Sequence, residues 1–174
     1  ATVATDDDAR RAGYWAVFAG AAGHTYGHHS IWQMHSPKYP GIAGPKKYWY
    51  DALDAPSAVQ MGHLRKLMES HSFTTLEPDL SLLAFAQEKP WEMCLALRGK
   101  DCALIYTPTG RTLDIQLDKL GFEKFNCSWF NPRTGTTTPI EAFEKAVRYT
   151  FDPPGEEVSG NDWVLRIKAT PNKP

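Results

Sequence analysis

Ala9-Arg10-Arg11-Ala12-Gly13-Tyr14-Trp15-Ala16-Val17-Phe18-Ala19-Gly20-Ala21-Ala22-Gly23-His24-Thr25-Tyr26-Gly27 is the stretch on which the fold turns. The three aspartates before it, Asp6 to Asp8, make a favourable helix entry, because a carboxylate can cap free amides and negative charge suits the positive end of the helix dipole. The spacing predicts a helix from Ala9 toward Ala22, stopped by Gly20 and Gly23. Beyond its first turn this helix is apolar on most sides, the pattern of a helix covered by other structure. Gly23 to Gly27 is too glycine-rich for helix and too short for a hairpin, and reads as one buried strand with a turn after it.

Downstream, Ser36 to Tyr50 has the proline, glycine and aromatic content of a long surface loop. Pro56 suits the first turn of a second helix, in which Val59, Met61, Leu64, Leu67 and Met68 form an apolar stripe and His63, Arg65, Lys66 and Glu69 lie mostly opposite. From about Phe73 the period changes to two. Met93 to Leu97 and Cys102 to Tyr106 alternate about Gly99-Lys100, predicting a hairpin with Leu97 opposite Cys102. Further strands are read at Leu113 to Leu117, Phe125 to Trp129, Val147 to Phe151 and Trp163 to Ile167. Short strands at this spacing indicate an antiparallel sandwich. The expected class is α+β, with a boundary that assigns residues 1–74 to a helical part and 75–174 to the sandwich.

A helix apolar nearly all round, a buried strand and a second amphipathic helix need more covering surface than seventy residues supply to one another. Helix, strand, long loop and helix is the pattern of the end of a (β/α)8 barrel, and a whole barrel takes about 250 residues. The other classes are excluded by composition. Nineteen basic against twenty acidic residues, with no basic run, argue against nucleic acid as partner. No apolar stretch approaches the roughly 20 residues of a membrane span. Ala1 to Thr5 lacks the positive start and apolar middle of a signal peptide. Cys94, Cys102 and Cys127 have no metal or disulfide-framework spacing and are expected to pack as small apolar side chains.

The run from Arg10 to Gly27, continuing through Ser30-Ile31-Trp32-Gln33-Met34, resembles the end of the catalytic barrel of apiosidase-like glycoside hydrolases. Tyr106-Thr107-Pro108-Thr109-Gly110, Trp129-Phe130-Asn131-Pro132-Arg133-Thr134-Gly135, Phe151-Asp152-Pro153-Pro154 and Asp162-Trp163-Val164-Leu165 are similar to the sandwich that follows that barrel, the one labelled as collagen-binding. The resemblance implies a carbohydrate-active hydrolase acting in the periplasm or outside the cell. It also implies that the two catalytic carboxylates lie on earlier strands, upstream of Ala1. The acids of the first region, Asp6, Asp7, Asp8, Asp51, Asp54 and Glu69, include none at the end of the candidate strand, so no catalytic residue is assigned within this chain.

His24 and Tyr26 are the leading substrate-binding candidates, projecting from the end of that strand toward sugar hydroxyls; the alternative is a buried pair satisfied by backbone. Trp32 and Trp49 offer flat faces to pyranose rings or, equally, staple a long loop to the core. His24, His28, His29 and His35 lack a metalloprotease spacing, and neither metal nor cofactor is expected. Arg133 reads as an arginine that bonds loop carbonyls. The expected partners are the remainder of the barrel and a carbohydrate, with no nucleic acid and no membrane. The alternative function is a non-catalytic module that binds polysaccharide or extracellular matrix, or that assembles with itself as a homo-oligomer.

Overall fold

A computed structural model describes residues 4–144 and 147–170. Helix α1 (Asp6–Phe18) starts at a capping box: Thr5 accepts from the Asp8 amide, and the Asp8 carboxylate accepts from the Thr5 amide at 2.9 Å. It ends at Phe18, earlier than the sequence pattern suggested, because Gly20 takes a left-handed φ of 94°. A single helical turn, α2 (His29–Trp32), precedes the long loop, and α3 (Pro56–Glu69) starts with proline in its first turn. The turn at α2 is capped by His28, whose ring accepts from the Ser30 amide at 3.2 Å.

The strands are β1 (Glu77–Pro78), β2 (Leu95–Arg98), β3 (Cys102–Thr107), β4 (Leu113–Ile115), β5 (Lys124–Phe130), β6 (Thr137–Glu144), β7 (Tyr149–Phe151) and β8 (Trp163–Ala169). They form an antiparallel six-stranded sheet in the order β1-β2-β3-β8-β5-β6 and a two-stranded sheet β4-β7. The class is α+β, as the change of period indicated. Pro78 and Pro139 both lie in edge strands, where a missing amide costs no ladder bond and blunts edge-to-edge pairing.

The large sheet is buried on both faces. One face packs Ala103, Ile105, Leu165, Ile167, Cys127 and Trp129 against Leu113, Ile115 and Phe151 of the small sheet. The other packs Leu97, Leu104, Tyr106, Val164 and Phe130 against Tyr14 and Phe18 of α1 and Leu64 and Leu67 of α3. Tyr14 stacks on Tyr106 at 4.9 Å between ring centres. Strand β3 is therefore buried at every position instead of alternating.

Two expectations are corrected. The hairpin pairs Leu97 with Leu104, and the Gly99 amide bonds the Cys102 carbonyl at 2.8 Å, so its tip is Lys100-Asp101. Moving the tip by one residue shifts the pairing by two and leaves every side chain on its face, so the apolar pattern could not choose between the registers. Gly99 is closely packed: a side chain there would meet Leu76 at 2.9 Å and the Cys102 sulfur at 3.0 Å, and both would have to shift. Second, Gly23 to Gly27 joins no ladder and is mostly exposed instead of forming a buried strand. A strand needs a neighbour to accept its amides, and none of the eight described strands lies against this segment.

Candidate functional site

The N-termini of α1 and α3 meet, and a side-chain chain runs from them to one candidate. The Ser57 amide, in the first turn of α3, donates to Asp6 Oδ1 at 2.9 Å, and the Ser57 hydroxyl lies 2.9 Å from the Tyr26 hydroxyl. The hydrogen bond from the Ser57 side chain holds the Asp6 carboxyl below the usual carboxylate range, against some desolvation. Tyr26 is thus half-buried and anchored. His24 is exposed and lines a groove of about 580 Å³ between α1 and α3, beside Val17, Met61, Leu64 and Met68.

The two tryptophans sit elsewhere in the loop. Trp32 is 62% exposed, with the His29 ring edge-on at 5.7 Å. Trp49 is half-buried, its amide bonded to the His35 carbonyl at 2.8 Å and its ring against Tyr50 at 5.6 Å; Tyr48 links Tyr50 to His35. His35 Nδ1 accepts from the Gly41 amide at 2.9 Å and His29 Nε2 lies 3.2 Å from the Ile42 carbonyl, so these imidazoles hold the loop's backbone. Tyr26 and His24 flank the helices, whereas Trp32 and Trp49 belong to the aromatic surface of residues 28–50.

Three further acids of the first region are tied up in ion pairs. Asp7 pairs with Arg10 at 2.9 Å, Asp8 with Arg11 at 2.7 Å and Glu69 with Arg65 at 2.7 Å. Between the helices and the sheet lies a network that sequence reasoning missed. Arg10 donates twice to Asp162, from Nε and Nη2, each at 2.8 Å, and also to Gln60 at 2.8 Å. Tyr106 donates to Asp162 at 3.3 Å, and Arg133 bonds the Gly160 carbonyl at 2.9 Å, as its loop position suggested. Burial disfavours the Arg10 charge, but the hydrogen bonds and field of Asp162 outweigh it and raise its pKa above the ordinary value. Arg10 and Asp162 are both buried, so this joint has the geometry of a bidentate pair inside the protein. The only signals for it were two arginines leading into the apolar part of a helix and an aspartate directly before a strand.

No helix of the described residues is long and apolar enough to cross a membrane. Comparison with known proteins places both parts of the chain. Residues 1–75 match the family model "Apiosidase-like, catalytic domain", and residues 78–168 match "Putative collagen-binding domain of a collagenase". A solved structure described as a glycoside hydrolase is 36% identical with a TM-score of 0.93, over 99% of this chain and 38% of that one. A glycoside hydrolase family 5 protein from Bacteroides vulgatus ATCC 8482 is 36% identical with a TM-score of 0.90, over 97% of this chain and 37% of its own. The chain thus spans less than two-fifths of the length of these relatives. No curated protein matches it. Residues 1–75 thus belong to the apiosidase-like glycoside hydrolase family, and residues 78–168 to the collagen-binding-type sandwich family.

Proposed function

We propose that this chain closes the sugar cleft of a glycoside hydrolase, with its sandwich as buttress, and that the catalytic carboxylates lie on a preceding part of the barrel outside residues 1–174. The observation that carries this reading is the uncovered flank of the helical layer. Val17, Met61, Met68 and Phe73 line an open groove, and Val59 is 56% exposed on the stripe that should be dry. The unladdered backbone of residues 23–27 offers its amides and carbonyls to strands of such a barrel. Relatives more than twice as long supply room for them.

In this reading one upstream carboxyl protonates the leaving oxygen and the other attacks the sugar or activates water. Tyr26, fixed by Ser57, and the solvent-facing His24 hydrogen-bond hydroxyls, while Trp32 and Trp49 present apolar faces to the ring. A polysaccharide side chain outside the cytoplasm is the substrate we favour.

The test supplies the missing barrel. The chain alone is expected to hydrolyse no aryl glycoside, and the polypeptide that joins it to an upstream barrel is expected to hydrolyse one. Val59→Lys should block that assembly without unfolding the chain, and His24→Ala or Trp32→Ala should raise KM more than they lower kcat. Hydrolysis by the isolated chain would refute the reading. So would a monomer that binds polysaccharide or collagen equally well with and without Val59→Lys, which would favour a non-catalytic binding module.

A further inference from the structure

On β8 the side chains alternate between the two cores. Val164 faces the helices, so Arg166 and Lys168 follow it on that face, opposite Leu104 and Cys102 of β3 and beside Ser128 and Asn126 of β5. The last buried apolar residue of α3 is Leu67; beyond it the chain turns at Ser70 and His71, and the sheet surface becomes polar.

Two nitrogens here are closed off from solvent and have no hydrogen-bond partner among the described residues: Arg166 Nε and His71 Nε2. Arg166 makes one side-chain bond, from Nη1 to the Thr137 hydroxyl at 3.3 Å. Its situation contrasts with that of Arg10, Arg11, Arg98 and Arg133, each of which has a carboxylate partner. Burial, then the fields of Arg166 and Lys168, hold the His71 imidazole below its ordinary value, and Asp101 is the one acid that opposes them among the described residues. Water would satisfy either nitrogen but leave the charges of Arg166 and Lys168 against that one acid.

We propose that this polar end of the sheet is an oxyanion site, in which Arg166, Lys168 and His71 bind a sulfate, phosphate or carboxylate group, free or carried on a sugar. An oxyanion supplies acceptors to both orphaned nitrogens and neutralises the surplus charge, which makes its bonds charge-assisted. The site is independent of the cleft and does not depend on the hydrolase reading.

The 174-residue chain is titrated with sodium sulfate, sodium phosphate, glucose 6-sulfate and sodium glucuronate at fixed ionic strength and neutral pH, with the His71 ring followed by NMR. The expected result is a saturable shift with a rise in the His71 pKa and in thermal midpoint, as binding to the native state requires. Lys168 is exposed, so Lys168→Gln should fold normally and weaken binding at least about tenfold, and Arg166→Gln should abolish it. Stronger binding of the sugar-borne anions would identify a carbohydrate ligand; equal binding would identify a free ion. No saturable shift up to about 100 mM, or an affinity unchanged by Lys168→Gln, overturns the site.

Discussion

Asp162→Asn keeps the shape of the side chain and removes the charge that four donors share. Asp162 is 1% exposed and Arg10 4%, so neither group can recover the lost partner from water. In the variant Arg10 retains Gln60, the Gly160 carbonyl at 3.4 Å and Asp7, which is 26% exposed and so a weaker partner. Tyr106 loses an acceptor beneath the stacked ring of Tyr14, whose own hydroxyl already has none. Removing one partner of a buried pair costs about 3–5 kcal/mol, a large part of the roughly 5–15 kcal/mol that stabilises an ordinary domain. For a chain of this size that is a fall in thermal midpoint of roughly 6–20 °C. Calorimetry and urea unfolding followed by tryptophan fluorescence measure it. Replacing both partners, Arg10→Met with Asp162→Leu, should recover most of the loss, because the cost lies in the stranded charge and not in the absence of the pair. A loss under about 1 kcal/mol in Asp162→Asn, or a double variant as unstable as the single, would refute the reasoning.

Thr5→Ala should cost about 1 kcal/mol in urea unfolding, because it removes the hydroxyl that accepts from the Asp8 amide, while the Thr5 amide keeps its bond to the Asp8 carboxylate. Acid should destabilise the chain through Asp6 and Asp8: hydrogen bonds from Ser57 and Thr5 lower their folded pKa values, so their contribution is complete above about pH 4 and is lost as pH falls through the folded values. In Asp8→Asn the pH profile should flatten in that window. Gly135→Ala should cost at least about 2 kcal/mol, since Gly135 has φ 72° and a methyl there would lie 2.6 Å from the His63 ring; unfolding midpoints check it. Burial pushes the Cys94 thiol up to about 11 and the Cys127 thiol to about 12, so a disulfide reagent at pH near 8 should titrate neither until denaturant is added.

Helices α1 and α3 and most strands were legible because their signals are local. Pro56, Asp6 to Asp8 and the alternation of Leu113 and Ile115 act over a few residues, and the elements follow them. Strand β6 was not legible: Pro139 argues against a strand, and only an edge position lets proline sit in a ladder. The apolar stripe predicted the buried Leu64 and Leu67 of α3 but not Ser57 and Gln60, which are buried because Asp6, Tyr26 and Arg10 supply their hydrogen bonds from distant sequence. Of the four candidate residues, Tyr26 bonds Ser57 in the first turn of α3 and His24 lines the groove between α1 and α3, both on a segment that forms no strand. The placement of Trp32 and Trp49 depends on loop packing that no local pattern records.

The same bonds connect the sandwich to the candidate cleft. Asp162 fixes Arg10, and Arg10 ties α1 to α3 through Gln60. That bond sets the height of the two helices' first turns, where Asp6 holds the Ser57 amide and Ser57 holds Tyr26. A displacement of α1 on the sheet would therefore reach the Tyr26 hydroxyl through three polar contacts, with no change in any residue of the loop. Asp162→Asn tests this as well: Ser57→Ala should release Tyr26 while leaving the sheet's stability nearly intact, whereas Asp162→Asn should release Tyr26 and destabilise the sheet together. Tyr26 ring relaxation by NMR separates the two, and a Tyr26 ring equally ordered in both variants would show that its position is set by the loop alone.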